Sequence, residues 1–164
     1  MPRATGVIAA DHRQDQDCSI VDTVVLDYAH RSVSNVTVTS IKRMVIDIAL
    51  HGSVRLHTDD LLVLDDGHVV EVVAAPEPLI EARAASLSEL ARLAWYLGDR
   101  HIQAELLPNR IRVRRDAAVE SLLTALGAKV TMIEAPFEPE GGAYASSHGH
   151  DHDHDHAHDH HHDH

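Results

Sequence analysis

At 164 residues and 44% hydrophobic, the chain can form one ordinary domain or two small ones, and it is too apolar to be disordered throughout. A formal charge of -12, from 14 Lys and Arg against 26 Asp and Glu, and an aromatic content of 3% leave neither the electrostatic footprint nor the stacking surface of a nucleic-acid binder, so no nucleic-acid partner is expected. The single cysteine, Cys18, excludes an intrachain disulfide framework and multi-cysteine zinc or iron-sulfur sites, while no apolar run nears the ~20 residues that cross a bilayer and Met1 to Asp11 holds no long apolar stretch, so a soluble cytoplasmic protein without membrane contacts is expected.

From Cys18 to Val73, short runs of Val, Ile, Leu and Thr alternate with turn-forming residues: Thr23-Val24-Val25-Leu26, Val36-Thr37-Val38-Thr39 and Leu61-Leu62-Val63-Leu64. These predict an all-β N-terminal domain over residues 1–75. Its clearest hairpin joins Leu61–Leu64 to Val69–Val73 through Asp65-Asp66-Gly67-His68, where Asp-Gly supplies positive φ angles. Arg43 to Leu50 fits a strand or a helix. Pro76 and Pro78 interrupt strand pairing, and the domain boundary is expected there.

Over residues 76–145 the pattern becomes mixed. Leu79 to Ala84 reads as a strand. Ser86 to Leu97 reads as a helix, with a Ser86/Glu89 capping box, Leu90, Leu93, Ala94 and Leu97 on one face and Gly98 as its stop. Gln103–Leu107 and Ile111–Arg114 read as a hairpin about Pro108-Asn109. Asp116 caps a second helix bearing Val119, Leu122, Leu123 and Leu126, which ends at Gly127 before the strand Lys129–Glu134. The order β-α-β-β-α-β is that of a ferredoxin-like split motif, making the whole an α+β chain.

Residues 146–164 form a different kind of segment. Ten of the 16 histidines lie between His148 and His164, interleaved with five Asp and no Leu, Ile, Val or aromatic residue, so nothing there can offset the entropy of ordering, and a disordered tail is expected. Imidazole suits Zn, Cu, Ni and Fe, and a His-Asp alternation provides overlapping, exchangeable sites for divalent transition ions. The longest uninterrupted run is His160-His161-His162, unlike the six consecutive histidines of a purification tag. Such donors follow the Irving-Williams order and take Cu(II) more tightly than Ni(II) or Zn(II), so metal preference must come from elsewhere.

The six remaining histidines, His12, His30, His51, His57, His68 and His101, are scattered, and each is by default a surface or structural residue. His101 stands out, following the predicted helix stop in Gly98-Asp99-Arg100-His101, but one imidazole binds metal poorly and needs donors from another chain or from the tail. No glycine-rich phosphate loop and no nucleophilic arrangement is recognisable, and among 26 carboxylates no catalytic pair can be singled out, so no enzyme is expected.

Two stretches carry a family likeness. Ala94-Trp95-Tyr96-Leu97-Gly98-Asp99-Arg100-His101 is similar to a Trp-His-Leu-Gly-Asn-Arg-His pattern, and Ala135-Pro136-Phe137-Glu138-Pro139-Glu140-Gly141-Gly142-Ala143-Tyr144 directly precedes the His-rich tail. In both, and in domain order, the chain resembles the UreE-type urease accessory proteins, the nickel metallochaperones. The resemblance implies a β-rich domain for protein contacts, then a ferredoxin-like domain that binds metal and dimerises. It places the central Ni(II) ligand at His101, with the two copies meeting near the dimer axis, and completes the shell from the tail, with His148 and His150 first and His152 and His154 next. It also implies urease apoprotein and the GTPase accessory protein as partners. Zn(II) or Cu(II) is expected to bind in vitro as well. The chain departs from the family's pattern in Asp99 for Asn, in Gln103 where Pro is common, and in Arg114, Arg115 and Ala117 where some members carry further histidines, which argues against a secondary site there. Protonation competes with metal near the ordinary imidazole pKa of about 6.5, so binding is expected to weaken on acidification. A storage or detoxification protein for Ni, Zn or Cu is the competing reading.

Overall fold

The computed structural model describes residues 1–15 and 19–142. The predicted tail with His148, His150, His152 and His154, and Cys18, lie outside the described residues. The first half is a six-stranded mixed sheet built from β1 (Arg3–Ile8), β2 (Ile20–Leu26), β3 (Asn35–Thr39), β4 (Val45–Ala49), β5 (Leu61–Leu64) and β6 (Val69–Ala74), in the order β2-β6-β5-β1-β4-β3. Two helical pieces interrupt it, a 3-10 turn at Ala10–Asp15 and the single-turn helix α1 (Tyr28–Arg31). Within Arg43 to Leu50, ambiguous on pattern alone, Val45–Ala49 forms β4, with Ile46 and Ile48 buried at period 2 and Leu50 continuing the alternation just past its end. In the β5–β6 hairpin Gly67 alone takes a positive φ, 85°, and Asp66 does not, so Gly67 supplies the left-handed residue of a longer loop rather than half of an Asp-Gly pair.

The ends of this sheet curl toward each other. The turn after β3 reaches back to β2: Ile41 N–H donates to Thr23 O at 2.9 Å, the Ser40 hydroxyl donates to the Asp22 carboxylate, and Lys42 Nζ donates to Val21 O at 2.6 Å. Inside the curl lie Val24, Leu26, Ile46, Ile48, Leu62, Leu64, Val70 and Val72. Asp22 is itself buried. Burial pushes its carboxyl up, but the Ser40 hydroxyl, the Thr23 and Lys42 amides and the Lys42 ammonium outweigh that and hold it below the usual range. Asp22→Ala leaves those donors unmatched and is expected to cost about 1–3 kcal/mol near neutral pH. Because the folded pKa is the lower one, this stabilisation is present above the unfolded value of about 4 and is lost as the pH falls through the folded value. Thermal melts over a series of falling pH should therefore separate the variant from the parent chain near neutrality and show the gap narrowing only below about pH 4.

The second half runs β7 (Glu77–Arg83), α2 (Leu87–Asp99), β8 (Glu105–Leu107), β9 (Arg110–Arg114), α3 (Ala117–Ala125) and β10 (Lys129–Ala135), with the antiparallel order β10-β7-β9-β8. Ile80, Ala82, Ile111 and Val113 face both helices and meet Leu93, Leu97 and Leu123. Pro78 sits within β7, not before it, paired in register with Glu134. A strand residue's N and O point to the same side, and Pro78 O accepts from Arg115 N, just past the end of β9. The missing N–H of Pro78 thus faces a place where the ladder has stopped. The cap of α2 also differs from the expected reciprocal box: Ser86 accepts from Glu89 N at 3.2 Å, but the Glu89 carboxylate accepts from Ala85 N, one residue earlier, at 3.1 Å.

A third cluster joins the two sheets. Tyr28 of α1 packs edge-on against Phe137 with ring centroids 5.5 Å apart, and Leu79 completes the contact. Arg31, with 0% of its surface exposed, donates to Leu26 O, Leu56 O and, at 2.6 Å, Phe137 O, and pairs with Glu138 at 2.8 Å. Arg55 donates to Pro139 O. The stretch from Phe137 to Pro139 is therefore strapped onto the first sheet from within the seam. No helix among the described residues is long and apolar enough to cross a membrane.

Candidate metal centre

His101 occupies an unusual backbone position. Its φ is 56°, and it is one of three non-glycine residues with positive φ among those described. His101 N donates to Gly98 O at 3.0 Å and Ile102 N to Leu97 O at 2.9 Å, which are the paired bonds of a Schellman stop with His101 at its left-handed position. Helix α3 ends in the same way, with Gly127 N bonded to Thr124 O and Ala128 N to Leu123 O, and there the left-handed residue is glycine with φ 84°. The stop of α2 is thus His101 and not Gly98, which lies inside the helix. A left-handed backbone costs an L residue of order 1 kcal/mol or more, although His tolerates it better than most. Ile102, packed into the core beside Leu97, pins the turn and leaves the imidazole on the surface.

The ring of His101 enters no hydrogen bond or ion pair with the other described residues, whereas four of the remaining histidines each lie against an Asp: His12 on Asp11, His30 on Asp27, His57 on Asp60 and His68 on Asp66, with Nδ1 to oxygen distances of 2.9, 2.6, 3.6 and 2.9 Å. These four are accounted for by their neighbours. His51 is exposed. Among the described residues no three His, Cys, Asp or Glu side chains gather closely enough to hold a metal ion. His101 is therefore an available donor that requires partners from outside this set.

Around it lies an open concavity of about 650 Å³ lined by His101, Ile102, Gln103, Arg114, Arg115, Asp116 and Val119. Asp116 is engaged as the cap of α3, accepting from Ala118 N and Val119 N at 2.8 and 3.0 Å. Arg114 is turned to the seam, over the rings of Tyr28 and Phe137 at 5.4 and 5.9 Å, and donates to Gln103. Gln103 in turn donates to the Tyr28 hydroxyl at 2.8 Å. The Gln103 amide thus connects the His101 turn to the seam, a role that local sequence pattern does not reveal. Two arginines and a spent carboxylate give this concavity no second cation site of its own.

The strap determines where the tail departs. Glu140 N donates to Ala104 O at 2.8 Å, three residues along the chain from His101. Three residues span at most about 10 Å, and the eight from Glu140 to His148 at most about 28 Å, so the first tail histidines can reach His101 in the same chain. His148, His150, His152 and His154 lie outside the described residues.

Residues 77–164 match the family model described as UreE urease accessory protein, C-terminal domain. The chain is 46% identical over 154 residues to a urease accessory protein UreE of Rhodopseudomonas palustris strain BisB18, covering 92% of this chain and 72% of that protein. Against the protein of the same name from Chelativorans sp. strain BNC1 it is 44% identical over 150 residues, covering 92% and 90%. A third relative so named, from Bradyrhizobium sp. strain ORS 278, is 46% identical over 151 residues, covering 92% and 70%.

Proposed function

The chain belongs to the UreE family of urease accessory proteins, and on that footing we propose that it is a cytoplasmic nickel metallochaperone, a non-enzymatic homodimer that binds Ni(II) and delivers it to apo-urease with the GTPase accessory protein. Residues 1–75 serve as the protein-contact domain, 76–145 as the metal-binding and dimerisation domain, and 146–164 as a metal-collecting tail. One observation carries the reading: a solvent-facing His101, unengaged by the other described residues, stands where the backbone prefers glycine, within reach of a ten-His segment of the same chain that follows Glu140. A strained residue kept at an exposed turn favours a role for its side chain.

Ni(II) is the cargo. Two His101 imidazoles, one from each protomer, hold it at the dimer axis, and His148 and His150, with His152 and His154 behind them, complete the shell. Neutral imidazoles can be exchanged one at a time, which a carrier needs in order to release its ion to an acceptor. Zn(II) and Cu(II) fit the same donors. A metal buffer without a client is favoured by the tail alone and gives His101 no part.

An exposed aromatic pair supports the dimer. Trp95 and Tyr96, 65% and 39% exposed, stack edge to face at 5.4 Å on the last turns of α2, at the His101 end of the helix. Two of the chain's five aromatic residues are spent there on the surface, and aromatic anchors of this kind dominate binding energy in interfaces. Trp95→Asp, which removes an apolar anchor and adds a charge, is expected to weaken self-association at least about 10-fold. Sedimentation velocity across a concentration series with and without Ni(II) tests this; a variant that dimerises as the parent does removes Trp95 from the interface, and a parent chain monomeric under both conditions contradicts the dimeric carrier.

A further inference from the structure

The face of the second sheet turned away from α2 and α3 carries an excess of cations that the metal reading does not use. Lys129 and Arg83 stand directly opposite each other on β10 and β7, and Glu81 pairs in register with Arg112, which pairs in turn with Glu105 on β8. Glu81 holds the group together: its oxygens lie 2.9 Å from Arg83, 3.2 Å from Arg110 and 3.1 Å from Arg112. Burial pushes the Glu81 carboxyl up, but the Arg112 and Arg83 guanidiniums pull it below the usual range, so it remains an anion. Two carboxylates, Glu81 and Glu105, stand among four cations, Arg83, Arg110, Arg112 and Lys129, so the face keeps a net positive charge. Like charges opposite each other on a sheet are destabilising, yet four of the chain's 14 cations are gathered here in a protein of charge -12. The Tyr28–Phe137 seam meets this face at Leu79 and the strap after it meets Glu105, while Arg83 at the other end remains 46% exposed.

The chain itself supplies an anion of suitable reach. Asp151, Asp153, Asp155, Asp159 and Asp163 are the charged residues of the tail other than histidine, and no Lys or Arg lies among them. The described chain ends beside this face, because Glu140 N is bonded to Ala104 O, next to Glu105 at the head of β8. From Glu140 to Asp151 the chain can span up to about 37 Å, whereas four strands are only about 15 Å across. We infer that the aspartates of the tail dock on the face formed by Arg83, Arg110, Arg112 and Lys129. The contact is intramolecular, favoured by a tether equivalent to millimolar local concentration, and it weakens with salt. It requires no metal and does not depend on the nickel assignment.

The chain's two lysines make this testable, since Lys129 lies on the face and Lys42 lies on the first sheet. Metal-free full-length protein, mixed with a heavy-isotope copy, is treated with a carbodiimide at low salt, which joins a carboxyl directly to an amine as an amide, and the products are mapped by mass spectrometry. Links from tail aspartates to Lys129 within one chain should exceed those to Lys42 by about fivefold or more, and should fall several-fold at about 0.5 M NaCl, where the Debye length drops below ~5 Å. Arg83→Gln, a change at an exposed side chain, should lower the Lys129 links at low salt while melting cooperatively. Equal linkage to both lysines, linkage only between chains, or Lys129 links indifferent to salt and to Arg83→Gln would each overturn the inference.

Discussion

Arg31→Met is expected to lower the stability of the full chain by about 3–5 kcal/mol, the largest structural loss foreseen for a single substitution, because it removes the cation from a fully desolvated set of acceptors. Methionine fills similar volume, so the loss is not chiefly one of packing. Leu56 O and Phe137 O would lose the guanidinium that donates to them, Leu26 O would keep only the Ala75 amide, and the Glu138 carboxylate would lose its partner. Glu138 is 30% exposed and partly rescued by water, so most of the cost falls on the buried carbonyls. Two of these four contacts, to Phe137 O and Glu138, strap the stretch that brings Glu140 to Ala104, so the variant should also loosen the chain there. Urea unfolding followed by the fluorescence of Trp95 and by far-ultraviolet dichroism measures this. A loss below about 1 kcal/mol would mean that the seam does not depend on Arg31.

The second large effect runs in opposite directions for stability and for binding. His101→Gly restores the residue that the left-handed stop of α2 prefers, as Gly127 already does for α3. Relief of backbone strain, offset in part by the greater freedom of glycine in the unfolded chain, should stabilise the fold by about 0.5–1 kcal/mol. The same change deletes the imidazole, and on the metal reading it abolishes the tight Ni(II) site. A gain in melting temperature of a few degrees together with a loss of tight binding would mark His101 as a residue kept for its side chain at the expense of the fold. His101→Ala is the weaker variant for this purpose, since alanine removes the ligand and keeps the strain.

Much of the second half can be read locally. The apolar spacing Leu90, Leu93, Leu97 defines α2, Asp116 marks the start of α3 and Gly127 its end, because caps and helical periodicity are encoded within a few residues. The first half is less legible. β1 lies outside the predicted β-rich run from Cys18 onward, since its pairing with β4 and β5 depends on residues more than forty positions away. Gly98 resembles a stop because glycine is the common left-handed residue, but tertiary packing of Ile102 moves the stop to His101. The seam could not be read at all: a buried Arg31, and a Gln103 linking Tyr28 to Arg114, carry no periodic signal and become visible only when distant segments meet. Of the site, the sequence singles out His101 and the tail, whereas the left-handed turn and the strap that brings Glu140 to Ala104 emerge from the fold.

Ni(II) titration by calorimetry tests the central claim most directly, applied to the full chain, to a chain ending at Tyr144 and to full-length His101→Gly, with oligomeric state followed in parallel. The account predicts one tight ion per dimer in the full chain and several weaker ions that disappear with the tail. It further predicts that the tight ion survives truncation at least in part and is lost in His101→Gly. If all binding leaves with the tail and His101→Gly binds as the parent does, His101 is a structural residue and the protein is a metal buffer.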